Sequence, residues 1–239
     1  MTLILRSTIL NDVGLVRTNN EDSALAGDRL LAVADGMGGL PAGEVASEIV
    51  IRILDELTPP AVPDEAADAL RAVVSTANQR IRAAITVDPA RDGMGTTLTA
   101  GLLAGDTLVL AQVGDSRCYL LRDTTLAQLT RDDTFVQALV DQGALSPDQA
   151  RHHPQRSLVT RAVQGSDAPP AIGMLTVAPG DRLLLCSDGL SDYVEDAAIA
   201  SALAMYGDRQ QCGEQLVKLA HQAGAPDNVT VIVSDVTAV

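Results

Sequence analysis

Leu30-Leu31-Ala32-Val33-Ala34-Asp35-Gly36 and Leu183-Leu184-Leu185-Cys186-Ser187-Asp188-Gly189 carry the same signal twice: an apolar run of strand length that stops on Asp-Gly. Both runs read as buried strands. Asp-Gly ordinarily announces a hairpin turn, but no partner strand follows at once here, so the hairpin explanation weakens at both places. Asp92-Gly93 does read as such a turn, and Gly105-Asp106 and Gly180-Asp181 read as ordinary loop signals. A third aspartate, Asp227 in Pro226-Asp227-Asn228, directly precedes the last strand-like run. If these strands share a sheet, three carboxylates converge at its edge, where unpaired anions are costly and are neutralised by cations. Oxygen-only donors favour Mg²⁺ or Mn²⁺ over zinc, and His152, His153 and His221 show no HExxH spacing. Three carboxylates and two divalent ions leave about one positive charge, suited to a phosphate dianion. The glycines after Asp35 would let backbone carbonyls approach a metal closely.

Working outward, residues 3–10 and 29–34 read as strands, and 42–57 as a helix with Val45, Ile49, Ile53 and Leu57 on one face. Pro59, Pro60 and Pro63 break it before a second helix over 64–85, striped by Leu70, Val73, Ala77, Ile81 and Ile85. Three strands over 96–103, 107–113 and 117–121 are joined by Gly105-Asp106 and Gly114-Asp115-Ser116, and such close neighbours are expected to pair antiparallel. Residues 130–170 form a polar insertion with short helices over 135–142 and 147–152. A strand over 182–187, helices over 195–205 and 210–222, and a strand over 228–235 complete the order. With no internal repeat or low-complexity linker, a single α+β domain spanning 1–239 is the economical reading.

Composition narrows the function. The 239 residues are 46% apolar and 20% charged, with one Phe, three Tyr and no Trp, so the core is aliphatic and offers no stacking platform for bases. A net charge of −14 repels nucleic acid and anionic lipid. Lys218 is the single lysine, which leaves little room for a phosphate-loop lysine or a Schiff base. Cys118, Cys186 and Cys212 lack CxxC spacing and fit reduced thiols in a cytoplasmic protein. The first ten residues do not read as a secretory signal. The richest apolar stretch, 98–113, is interrupted by Gly101, Gly105 and Asp106, short of the roughly 18–20 residues of a membrane span. A soluble, intracellular protein is expected.

Six motifs then occur in order: Arg17-Thr18-Asn19-Asn20-Glu21-Asp22, Val33-Ala34-Asp35-Gly36-Met37-Gly38-Gly39, Gly95-Thr96-Thr97, Gly114-Asp115-Ser116-Arg117, Cys186-Ser187-Asp188-Gly189-Leu190 and Asp227-Asn228-Val229-Thr230. Together they resemble the metal-dependent PP2C-type (PPM) serine/threonine protein phosphatases across almost the whole chain, and most of all compact bacterial members without membrane and sensor extensions. The resemblance implies a four-layer α-β-β-α sandwich of two antiparallel sheets flanked by helix pairs, with a two-metal Mn²⁺ or Mg²⁺ site at one end. By position Asp35 would bridge both ions, the Gly36 carbonyl would complete one, and Asp188 and Asp227 would hold the other. Arg17 would grip phosphate, and Asp22 would act on metal-bound water from outside the ligand set. Asp115, with Ser157, would serve a third, weaker ion.

The implied reaction is hydrolysis of phosphoserine and phosphothreonine by metal-activated water, with no protein nucleophile. Cys-x5-Arg indeed fails at every cysteine, which excludes a covalent thiol phosphatase. The implied partners are phosphorylated proteins and the serine/threonine kinase that this enzyme opposes, with no nucleic acid, no membrane and a monomeric state. A flap over about 133–165 would tune substrate access. Two residues depart from many relatives: Met37 and Asp133 stand where histidines occur, which assigns leaving-group protonation to metal-bound water. The structural alternative for Asp133 is a solvent-exposed side chain. His153 reads as a loop hydrogen-bonder rather than an acid. Competing readings are a phosphoprotein-binding pseudophosphatase, marked by loss of a metal aspartate, and a phosphatase dedicated to a partner-switching regulator. A dinucleotide-binding enzyme fails because GxGxxG from Gly36 would need glycine where Pro41 stands.

Overall fold

A computed structural model describes residues 2–38 and 42–239; Gly39 and Pro41, used in the motif and dinucleotide readings, lie outside them. Among the described residues the chain runs β1 (Leu3–Asp12), β2 (Asp22–Ala26), β3 (Leu30–Met37), α1 (Ala42–Asp55), α2 (Pro63–Val87), β4 (Gly95–Thr96), β5 (Leu98–Ala104), β6 (Thr107–Val113) and β7 (Arg117–Arg122). It continues through β8 (Thr125–Gln128), α3 (Phe135–Asp141), α4 (Pro147–Arg151), β9 (Ala171–Thr176), β10 (Arg182–Cys186), α5 (Asp188–Ser191), α6 (Asp196–Met205), α7 (Arg209–Gln222) and β11 (Val229–Ala238). One sheet has the order β1-β11-β10-β7-β8 and the other β2-β3-β5-β6-β9, with β4 attached to β3; every pairing is antiparallel.

The unbroken apolar runs now have a cause. Successive strand residues face opposite sides of a sheet, and here both sides are covered. Leu31 and Val33 point between the sheets, where they meet Leu183, Leu185, Cys118 and Ile232. Leu30 and Ala32 point the other way, onto the layer formed by α1 and α2. Leu184 and Cys186 likewise face α6 and α7. Three apolar layers therefore separate four layers of secondary structure, the implied α-β-β-α sandwich, and each fully buried Leu in them contributes about 1.5–3 kcal/mol. Ala46, Val50 and Leu54 centre the buried face of α1, while Val45 and Ile49 sit at its margin, a shift from the predicted stripe. The stripe predicted for α2 holds at Leu70, Val73, Ala77 and Ile81.

One pairing differs from expectation and matters for the site. β6 and β7 do not pair; they belong to opposite sheets, and Gly114-Asp115-Ser116 is the corner between them. Side chains replace the ladder bonds there: the Ser116 carbonyl accepts from Thr99 Oγ1 at 2.6 Å and from Gln112 Nε2 at 2.8 Å. Gly114 has φ +97°, a conformation that glycine adopts without strain. Asp92-Gly93 is likewise no hairpin turn; it follows a short 3₁₀ segment, Pro89–Arg91, and leads into β4. β2, β8, β9 and α5 have no clear pattern in the sequence; β8 and β9 are short, largely exposed edge strands and α5 is a single turn.

Candidate active site

A cleft of about 460 Å³ opens at one end of the sandwich, and Arg17, Asp35, Gly36, Asp115, Ser157, Asp188 and Asp227 all line it. Asp22 lies beneath, buried, paired in register with Asp35 across β2 and β3. The structure thus gathers all eight nominated residues. β3 does not stop at Asp35 but continues to Met37, held by β4 and by the Gly95-Thr96-Thr97 motif. The Asp35 N–H donates to Thr97 Oγ1 at 3.0 Å, and its carbonyl accepts from the Thr97 N–H at 2.8 Å and Thr96 Oγ1 at 2.9 Å. Thr97 Oγ1 also lies 2.8 Å from Ser116 Oγ, which ties Asp35 to the Asp115 corner. Gly36 is constrained by packing: a Cβ there would land on the Gly43 carbonyl, so α1 could not approach β3 so closely.

From the other sheet, Asp188 opens α5 directly after β10. Ser187 Oγ donates to Asp22 Oδ2 at 2.8 Å and accepts from the Thr230 N–H at 3.0 Å, so one hydroxyl joins the sheets beneath the cleft. Asp227 Oδ1 accepts from the Asn228 N–H at 2.9 Å, and its Oδ2 is paired with Arg17 at 2.8 Å. Asn228 fastens the N-terminal motif to this end: its Oδ1 accepts from the Glu21 N–H, and its Nδ2 donates to the Val13 and Asn19 carbonyls. Ser157 Oγ donates to Asp192 Oδ2 at 3.1 Å. Asp192 escaped the sequence reading, although its position four residues after Asp188, one helical turn on, was a usable signal. Asn228 and Thr97 were visible as motif letters but not as the residues that hold the aspartates.

The electrostatics are one-sided. Five carboxylates, Glu21, Asp35, Asp115, Asp188 and Asp227, line the cleft, and among the described residues its lining contains one cation, Arg17. Burial, and then the charges of Asp22, Asp188, Asp115 and Asp227, push the Asp35 carboxyl well above the usual carboxylate range. Burial, followed by Asp115 and Asp192, does the same at Asp188. Burial pushes Asp22 up to about 6 and, with Asp132 and Asp192 nearby, Asp115 up to about 7. Asp22 Oδ1 is buried without a hydrogen-bond partner. Oxygen donors, an excess of buried negative charge and an orphaned carboxylate oxygen fit hard divalent cations. Among the described residues no three His, Cys, Asp or Glu side chains stand close enough together to hold an ion by themselves.

The protein phosphatase 2C profile matches residues 17–221, which takes in Arg17, every aspartate above except Asp227, and the corner. The chain belongs to the protein phosphatase 2C family. The serine/threonine protein phosphatase PstP of Mycobacterium tuberculosis (strain ATCC 25618 / H37Rv) is 51% identical over 99% of this chain, which spans 46% of the length of that relative. The serine/threonine phosphatase stp of Listeria monocytogenes is 34% identical, with 92% of each chain covered. Among solved structures, the catalytic domain of PstP in complex with two manganese ions superposes with a TM-score of 0.92 at 49% identity, covering 99% of this chain and all of that one. Within this phosphatase 2C chain, His153 Nδ1 accepts from the Gln155 N–H at 3.1 Å, the loop role read for it. Asp133 is not solvent-exposed as its structural alternative supposed: its side chain is 11% exposed and bonded, because the flap base closes over it.

Proposed function

We propose that this chain hydrolyses phosphoserine and phosphothreonine monoesters in proteins, in opposition to a serine/threonine kinase. The single observation that carries the reading is the convergence of Asp35, Asp188, Asp227 and Arg17, from both sheets and both chain ends, on one cleft. Asp35 would be shared by two Mn²⁺ or Mg²⁺ ions, the Gly36 carbonyl would serve one, Asp188 and Asp227 the other, and Asp115 with Ser157 a third. When bound, such ions supply Lewis acidity to water and to phosphoryl oxygens. Arg17 stands half-exposed beside Asp227, where its planar fork can donate to phosphoryl oxygens and orient the ester. Asp22 keeps one oxygen free beneath the cleft, available to accept a hydrogen bond from water. Met37 lines the cleft without a proton to give. Every aspartate that a pseudophosphatase would have lost is in place.

We read residues 1–239 as one catalytic unit, with 133–165 as a flap over the cleft, acting as a monomer in the cytoplasm. No helix among the described residues is long and apolar enough to cross a membrane. The test is release of phosphate from p-nitrophenyl phosphate and from a phosphothreonine peptide, after chelation and then with Mn²⁺, Mg²⁺ or Ca²⁺ restored. Turnover of both substrates that depends on restored Mn²⁺ or Mg²⁺ is expected. A folded, metal-binding protein without turnover would overturn the reading in favour of a binding module.

A further inference from the structure

Asp133 opens the flap beside the corner where β6 hands over to β7. Its N–H donates to the Gly114 carbonyl at 2.9 Å, and its carbonyl accepts from the Thr160 N–H at 2.7 Å and from Thr160 Oγ1 at 2.8 Å. Its side chain adds two contacts: Oδ2 accepts from the Gly114 N–H at 3.1 Å, and Oδ1 faces the Arg161 guanidinium at 3.4 Å. One residue therefore ties together the flap's entry, its exit and the glycine next to Asp115.

The surroundings sharpen the role. The flap's exit is independently anchored: the Gln164 and Gly165 N–H groups donate to Asn78 Oδ1 on α2, and Val163 bridges Thr96 of β4. Further out, the flap docks through Arg151 on Glu195 and the Val194 carbonyl, and through Ser157 on Asp192. The exit and the body thus have their own holds, whereas the Asp133 bonds join both flap ends to the Asp115 corner. The Asp133 carboxylate is aimed at a backbone N–H and a guanidinium, so both of its oxygens are engaged as hydrogen-bond acceptors. That geometry is unlike an acid poised over a leaving group.

We propose that Asp133 is a positioning residue that locks the two ends of the flap to the Gly114 corner and so sets where Asp115 stands in the cleft. The proposal rests on the phosphatase reading above. A small misplacement of a positioned group lowers turnover for every substrate alike, whereas loss of a leaving-group acid harms a serine or threonine ester far more than p-nitrophenyl phosphate, whose leaving group needs little protonation.

The experiment compares wild type, Asp133→Asn and Asp133→Ala on p-nitrophenyl phosphate and a phosphothreonine peptide at saturating Mn²⁺, alongside hydrogen exchange read by mass spectrometry. Asp133→Ala is expected to lower kcat on the order of tenfold on both substrates by the same factor. Asp133→Asn retains an oxygen for the Gly114 N–H and is expected to stay within about twofold of wild type. Exchange at residues 114–116 and 158–161 is expected to quicken in Asp133→Ala and to stay near wild type in Asp133→Asn. Should Asp133→Ala fail to fold, Thr160→Val, which removes one bond to the Asp133 carbonyl, is expected to quicken exchange at 158–161 with a smaller, equal loss on both substrates. A loss confined to the peptide and equally large in Asp133→Asn would overturn the proposal in favour of an acid, and unchanged exchange in Asp133→Ala would overturn it outright. If wild type itself shows no metal-restored turnover, the phosphatase reading falls, and the exchange arm alone decides whether Asp133 couples flap to corner.

Discussion

Strand β10 has an aspartate beyond each end, Asp181 buried and Asp188 half-buried, and their surroundings are opposite. Asp181, just before it, accepts from Arg122 Nε at 2.8 Å, from Arg122 Nη2 at 2.6 Å and from the Ala178 N–H at 2.8 Å. Burial works to raise its pKa, but these partners outweigh it and hold the carboxyl below its ordinary range. At the same end of the sandwich Asp235 is matched by Arg182 and Arg209. Asp188, past the other end, is raised by burial and by Asp115, Asp192 and Asp227. A protein that can match arginines to carboxylates at one end leaves the other end short of cations, and this deficit is a stability cost typical of a site organised around a ligand.

The comparison breaks most severely at Asp35. Asp35→Asn is expected to lower Mn²⁺-dependent phosphopeptide turnover at least about 10³-fold. Because it also removes a half-buried, crowded negative charge, its melting temperature in chelator should be no lower than that of wild type. A stable protein that keeps wild-type turnover would show that the charge deficit is not functional.

Next in size is the middle of the sandwich, which both ends share. Leu31→Ala, between the sheets, is expected to cost about 3–5 kcal/mol in denaturant unfolding, with kcat unchanged in the fraction that stays folded. A fall in kcat at full folding would mean that the interlayer core and the cleft are coupled.

Arg17→Ala removes the cation at the crowded end and should raise KM for a phosphopeptide about tenfold with a smaller change in kcat. The reverse split would make Arg17 a partner of Asp227 rather than of substrate.

The smallest effect belongs to the satisfied end. The folded-state pKa of Asp181 is depressed, so its contribution to stability is present above the ordinary carboxylate range near about pH 4 and is lost as pH falls through the folded value. Asp181→Asn should therefore lower the melting temperature by a few degrees at neutral pH and flatten its decline on acidification. A melting curve with the wild-type acid limb would show that the Arg122 pair contributes little.

Much of this organisation is legible along the chain. The two apolar runs ending in Asp-Gly, the paired helices and the aspartate at 227 mark the layers and the site, since a strand covered on both faces has to be apolar throughout. β2 was hidden because Asp22-Ser23-Ala24-Leu25-Ala26 is half-buried and too mixed to show a period. The corner at Gly114 differs from the hairpin that the spacing predicts because close spacing allows either a turn within a sheet or a step between sheets; the Thr99 and Gln112 side chains that satisfy Ser116 decide it, and Thr99 reaches it from β5. The exposed alternative for Asp133 fails for a related reason, since the Thr160 and Arg161 contacts that cover it come from the far end of the flap.

The amino-acid sequence alone determines residue chemistry and local period: which runs are strands, which helix faces are apolar, and that the nominated site is built of oxygen donors with few cations. Only the tertiary structure decides which sheet each strand joins, that Asp22 meets Asp35 across a ladder while Ser187 reaches it from the other sheet, and that Arg17 faces Asp227. Those relations depend on long-range pairing and on the charge balance of a closed cleft, neither of which has a local signature.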